Sequence, residues 1–234
     1  METHGSHGPD VQKELKTHIS GAAETLKDIK AGGKFDLGKE FMNAFEVLKL
    51  NTKKMEEIAV NKAAALPALL FIIAGVVAFH LGFYFFMSSI SRGLFGVALT
   101  PGILDLIISI VLSSAVAIVQ IFVLDFVGNV FFKGQGKFGE LFRVLGYASV
   151  VMLLCLIFQL GVIGGLWFLI AAYFALNKIK KLNPTNTVIT LVIALVVTAL
   201  VTYLLNLLFA FIHFGGIFSI YTKEYFDLIN TKFY

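Results

Sequence analysis

The chain has 234 residues, 58% of them hydrophobic and only 15% charged, with a mean hydropathy of +0.85 and a formal net charge of +4. Soluble domains hold about 25% charged residues, so a water-soluble globule is excluded, as is pervasive disorder, which needs apolar-poor sequence. The single cysteine, Cys155, excludes a disulfide scaffold and a Cys-rich zinc site, and the small net charge gives no footing for nucleic acid.

Charge is concentrated early. Residues 1–62 carry ten of the nineteen Lys and Arg and ten of the fifteen acids. The opening METHGSHGPD lacks the apolar core of a secretory signal, so none is expected there. His4 and His7 are too loosely tethered to make a metal site. Val11, Leu15, Ile19, Ala22, Leu26 and Ile29 step by three and four, which predicts an amphipathic helix ended by Ala31-Gly32-Gly33. Such a helix packs its apolar stripe on its own domain, on a lipid surface or on a partner. A second helical stretch runs over 38–60, with Phe41, Phe45 and Leu48 on one side. Met55, Ile58 and Ala59 resume the pattern after a break near Asn51. Segment 1–62 is therefore expected as a cytoplasmic amphipathic helical segment.

Five apolar runs follow. A hydrocarbon core of ~30 Å takes ~20 helical residues. The runs Ala63–Met87, Leu104–Phe132, Val144–Leu160, Val162–Leu176 and Thr187–His213 predict an all-α, five-span bundle over 63–213. A four-span alternative would fold the third and fourth runs into a re-entrant pair around Gly161, Gly164 and Gly165, leaving backbone groups in lipid unless protein covers them. Lys49, Lys53, Lys54 and Lys62 precede the first run. Lys133, Lys137 and Arg143 follow the second, and Lys178, Lys180 and Lys181 follow the fourth. The loop after the first has only Arg92, and the turn after the third has no charge. This alternation predicts a cytoplasmic N-terminus and a C-terminus on the other side. Residues 214–234, rich in Phe and Tyr, are expected as an interfacial tail.

Polar side chains in hydrocarbon must find partners, so His80, Gln120, Asp125, Gln159 and Asn206 are the candidate intramembrane sites. Rise per residue puts His80, Gln159 and Asn206 near one outer level. Asp125 is expected to reach the cytoplasmic headgroup zone near Lys133 and Arg143. Interhelical hydrogen bonding is the plainest role for these groups, and a path for an ion or small solute is the alternative. Gly75, Gly82, Gly93, Gly96, Gly161, Gly164 and Gly165 suggest close backbone approach, and Ser113, Ser114, Ala115 and Ala117 a helix seam.

Two stretches, FEVLKLNTKKMEEIAVNKAAALPALLFIIAGVVAF (45–79) and FFKGQGKFGELFRVLGYASV (131–150), resemble the Yip1-type family of five-helix membrane proteins. The resemblance rests on the run holding Lys53 and Lys54 and on Lys137, Phe138, Arg143, Gly146 and Tyr147. It covers about residues 40–213. Asn51-Thr52 stands where a proline would be usual. The resemblance implies a cytoplasmic N-terminus, five spans, no cofactor and no enzymatic activity. Eukaryotic members bind small GTPases of the Rab type. The Asp-Leu-Tyr-Gly-Pro stretch of that branch is absent, so the chain looks more like prokaryotic members and Rab binding is not carried over.

Enzyme patterns fail individually. Lys137 follows two glycines but lacks the spacing and the Ser/Thr of a phosphate loop. No His-Glu-x-x-His or Gly-x-Ser-x-Gly occurs. Asp105 and Asp125 sit at opposite ends of one helix and cannot form a catalytic pair. No catalytic residue, metal ligand or cofactor is therefore expected. The expected partners are the lipid bilayer and a protein at the cytoplasmic segment, with no nucleic acid. Three functions fit: a non-enzymatic membrane organiser acting through partner binding, a small transporter, or an accessory subunit of a larger complex. A homo-oligomer is compatible with the small-residue seams.

Overall fold

The computed structural model describes residues 11–31, 36–95 and 103–211. Eight α-helices run in chain order: α1 Val11–Ala31, α2 Leu37–Leu48, α3 Thr52–Val60, α4 Ala65–Phe95, α5 Ile103–Phe132, α6 Phe138–Ala148, α7 Gly161–Ile179 and α8 Pro184–Phe211. No strand occurs among the described residues, so the fold is all-α.

Local chemistry sets the short helices. The Asp36 carboxylate accepts the Lys39 N–H at 3.1 Å and starts α2. Asn51 accepts the Lys54 N–H at 3.2 Å and starts α3. Asn51 thus supplies at the α3 N-cap a side-chain acceptor for one of the orphan N–H groups. Between α2 and α3, Leu50 adopts the left-handed φ of 60° that turns the chain. Asn61 then accepts the Ala63 N–H at 3.1 Å and opens a 3-10 turn, Lys62–Ala64, into α4. Pro67 lies in the first turn of α4, where a missing N–H is tolerated.

Five helical stretches are long and apolar enough to cross a membrane: Lys62–Gly93, Leu106–Phe132, Phe138–Leu156, Phe158–Ile179 and Pro184–Leu205. This agrees with the five-span expectation. The third span is the central strut: 72% of its apolar window is buried, against 11% for the second and fifth. It is also where the expectation of a regular helix over 144–160 fails. The span starts earlier, as α6, changes at Ser149 into a 3-10 segment running to Leu156, and breaks at Ile157.

The glycines explain that change. On the α4 side, a Cβ at Gly75 would lie 2.9 Å from the Ser149 carbonyl oxygen, and one at Gly82 would overlap the Cys155 carbonyl. On the α7 side, a Cβ at Gly164 would lie 3.2 Å from the Val151 carbonyl oxygen. The 3-10 segment is wedged backbone-on-backbone between two glycine-bearing helices, the close packing that small residues permit in lipid. Gly93 and Gly165 meet nothing within 4 Å and take no part in it. Gly96 lies outside the described residues, as does the 214–234 tail.

At the loop end of the bundle, Lys133 and Gly136 take φ of 52° and 77°. The resulting turn returns the Gln135 N–H to the Lys180 carbonyl at 2.9 Å. This ties the α5–α6 loop to the end of α7. Helices α1–α3 pack around the same end.

Candidate functional site

The family-like residues of α6 converge on the N-terminal helices. Phe138 is buried against Phe122 of α5 and Phe142, with ring centroids 6.0 and 5.8 Å away. Arg143 is buried, and its Nε and Nη2 both donate to the Ala59 carbonyl, at 2.9 and 2.5 Å. That carbonyl is in the last turn of α3, where helices leave acceptors unpaired and favour cations. Arg143 Nη1 reaches Asp28 of α1 at 3.5 Å. Gly146 faces Ala68 of α4 so closely that a Cβ would lie 2.5 Å from the Ala68 Cβ. The Tyr147 hydroxyl donates to the Glu40 carboxylate of α2. One short helix thus grips α1, α2, α3 and α4.

The remaining motif cations act locally. Lys53 is exposed. Lys54 pairs with Glu57 at 2.7 Å. Lys137 begins α6, its N–H bonded to Glu140 at 3.2 Å, and its ammonium lies 3.7 Å from Glu24. Glu24 also meets Lys62 at 3.2 Å. The Lys62 hydrogen bond, with Lys137 adding to it, holds the Glu24 carboxyl below the usual carboxylate value. The Lys49 hydrogen bond does the same for Glu46.

Asp125 pairs with His18 and Lys180, not with the Lys133 and Arg143 expected beside it. It is fully buried (0% exposed), with one carboxylate oxygen paired to Lys180 Nζ and the other 2.5 Å from His18 Nδ1. Lys180 is also 0% exposed and His18 only 4%. Lys180 Nζ donates in addition to the Gly136 carbonyl at 2.9 Å. The His18 ring lies edge-on to Phe122 and Phe126 at 6.2 and 5.6 Å. Burial pulls the Lys180 ammonium below its usual value, and Asp125 opposes that pull. A buried charge needs a paired, hydrogen-bonded partner, and these three residues supply it jointly from α1, α5 and the end of α7. Sequence reasoning missed His18 and the role of Lys180; the only signal was an Asp in an apolar run with no cation near it in sequence.

This docking splits the apolar stripe of α1. Its inward edge is His18, Gly21, Thr25 and Asp28, with Ala22 and Ile29 packed against the core, while Ile19 is 56% and Leu26 60% exposed. The polar groups deeper in the bundle are engaged locally. His80 Nε2 lies 2.9 Å from Ser113 Oγ, and Ser114 donates to its own helix at Ile110. Ala115 is exposed, so only Ser113 and Ala117 of the expected seam face inward. Gln159 is exposed in the turn before α7, and the Asn206 side chain lies outside the described residues. Trp167 of α7 donates to the Leu48 carbonyl at the end of α2, at 2.9 Å. Among the described residues no three His, Cys, Asp or Glu side chains come together as a metal set.

A five-span helical bundle with a helical cap clamped to one end by buried ion pairs defines an integral, multi-pass membrane protein. The sequence model of the Yip1 domain matches residues 45–221. The chain belongs to the Yip1 family, and the matched region holds the five spans together with α3 and the second half of the gripping contacts. Comparison with curated proteins and with solved structures finds no match.

Proposed function

We propose that the protein is a non-enzymatic membrane organiser working through its cap. In this reading the apolar edges of α1 and α2 sit in the headgroup boundary of the cytoplasmic leaflet, and the polar edge beside them receives a protein partner. One observation carries the reading: both helices have the same three-edged cross-section. In α1, Leu15, Ile19 and Leu26 are exposed roughly a quarter turn from the docked edge. In α2, Leu37, Phe41 and Phe45 are exposed roughly a quarter turn, in the same rotational sense, from Glu40, Ala44 and Val47. Lys16, Lys27 and Lys39 occupy the remaining edge. Helices with one edge on protein, one apolar and one charged suit a membrane–water boundary.

Depth agrees. Counting ~20 residues per hydrocarbon core, a span starting at Leu106 ends at Asp125, where His18 docks. One running back from Met87 ends at Ala68, beside Phe71, whose ring is 6.3 Å from that of Phe41. The even loops and segment 1–62 are then cytoplasmic, and 214–234 is the interfacial tail opposite. In this arrangement Arg143, Gly146 and Tyr147 are positioning residues, Lys53 faces the partner side, and His80 is interhelical glue.

The test uses full-length protein in liposomes, with an environment-sensitive NBD label on single cysteines. Labels at Ile19→Cys and Phe41→Cys are expected to emit blue-shifted and resist an aqueous quencher. Labels at Lys16→Cys and Lys27→Cys should be quenched freely. Equal quenching at all four would refute the leaflet placement. A photocrosslinker at position 27 in cells should yield one discrete adduct with another protein, and self-adducts alone would refute the partner.

A further inference from the structure

Where the five spans meet, the bundle forms an open cleft of about 420 Å³. Ile72, Gly75, Val76 and Phe79 of α4 line it, with Val116, Ala117 and Gln120 of α5 opposite; the 3-10 segment, α7 and α8 each add a wall through Met152, Phe168 and Thr202. Ile72, Gly75 and Ser149 of the lining are buried and the other lining residues are half-buried, so the cleft opens between the helices to the surrounding lipid. No charged side chain lines it. The volume falls within the ~300–1,000 Å³ typical of small-molecule sites.

The polar lining is mostly engaged. Ser113 holds His80, and Ser149 donates to the Leu145 carbonyl at 2.9 Å. Gln120 differs: among the described residues its half-buried carboxamide has no hydrogen-bond partner, and it borders the cleft roughly 7–8 Å along α5 from Asp125, on the hydrocarbon side. An amide in the hydrocarbon zone without a partner is strongly unfavourable, and a side chain as long as Gln would otherwise be replaced there by an apolar one. An apolar cleft with one unsatisfied donor–acceptor matches the tail region of a lipid, an apolar chain with one ester or hydroxyl oxygen at the cleft and any charged headgroup outside it.

We propose that this cleft is a binding site for such a molecule: the tail lies between α4, α5 and the 3-10 segment, and the Gln120 amide N–H donates to its ester carbonyl or hydroxyl. The site is independent of the cap and of any partner.

The test uses full-length protein in nanodiscs and two photoreactive probes, a phospholipid with a diazirine in one acyl chain and a long-chain alcohol with the same group. Adducts are mapped by mass spectrometry. Inward residues Val76, Phe79 and Met152 are expected to be labelled above the lipid-facing Val111 and Val196. Gln120→Leu should lower inward labelling about fivefold, the equilibrium worth of one net hydrogen bond. Val116→Trp, which fills the cleft, should abolish it while labelling of Val111 and Val196 persists. Labelling by the phospholipid identifies a bilayer lipid as the source, and labelling by the alcohol alone identifies a free lipid alcohol. Inward labelling no higher than outward, or unchanged in Gln120→Leu, would overturn the proposal. Should Val116→Trp fail to fold, Ala117→Leu gives the same reading.

Discussion

Asp125→Leu or Lys180→Met, made singly, is expected to lower the unfolding free energy in detergent by about 3–5 kcal/mol, because each leaves an uncompensated buried charge. Both side chains are fully buried, so solvent cannot take over the lost partner. The double variant Asp125→Leu/Lys180→Met should recover most of the loss, since replacing a whole buried pair with apolar residues is often neutral. Trp167 is the only tryptophan and bonds the end of α2, so its fluorescence reports both unfolding and release of the cap. In Asp125→Leu α1 should also become protease-sensitive before the bundle does, because His18 loses its anchor, whereas Lys180→Met leaves that contact in place. A double variant as unstable as the singles would show that the uncompensated charge of the Asp125–Lys180 pair is not the source of the loss.

Gly82→Ala and Gly146→Ala are expected to destabilise by about 1–3 kcal/mol, the usual penalty for overpacking, with valine worse at both sites. At Gly82 the obstacle is the Cys155 backbone carbonyl, which cannot rotate away; at Gly146 it is the Ala68 side chain and backbone. Gly165→Ala supplies the contrast. Nothing lies within 4 Å of a Cβ there, so the change should be neutral or stabilise α7 by roughly 0.5–1 kcal/mol through helix propensity. The comparison is read from chemical unfolding of the three variants side by side. Equal effects at all three would mean that α4 does not press on the central strut.

The spans were legible because lipid imposes a simple rule: uninterrupted apolar length in a helix. Four of the five runs fall on the observed α-helices, with ends moved by a few residues, while the third starts earlier and is α-helical only to Ala148. The glycine reading was also sound at Gly75, Gly82 and Gly164, although it did not announce a 3-10 segment, which arises from two helices pressing on a third. The α1 stripe left its orientation open for a physical reason. Packing the whole apolar side inward assumes water outside, whereas the inward edge of α1 is set by one buried carboxylate that needs a cation and an imidazole, and only Ala22 and Ile29 of the stripe pack on the core. Asp125 could not disclose those partners, which lie 107 residues before it and 55 after it in the chain. The motif around Arg143 and Tyr147 was recognisable as a pattern, but its job of gripping Ala59, Asp28 and Glu40 is visible only in three dimensions.

The account rests on five crossings that bring the cap and the two even loops to one side of a membrane. Sidedness labelling with a membrane-impermeant maleimide tests it most directly, using single cysteines at Lys53, Gln135, Asn183 and Arg92 in a chain with Cys155 replaced by serine. The first three should react from one side of sealed vesicles and Arg92→Cys only from the other. Reaction of Arg92→Cys from the same side as Lys53→Cys, or of Gln135→Cys from the opposite one, would contradict it.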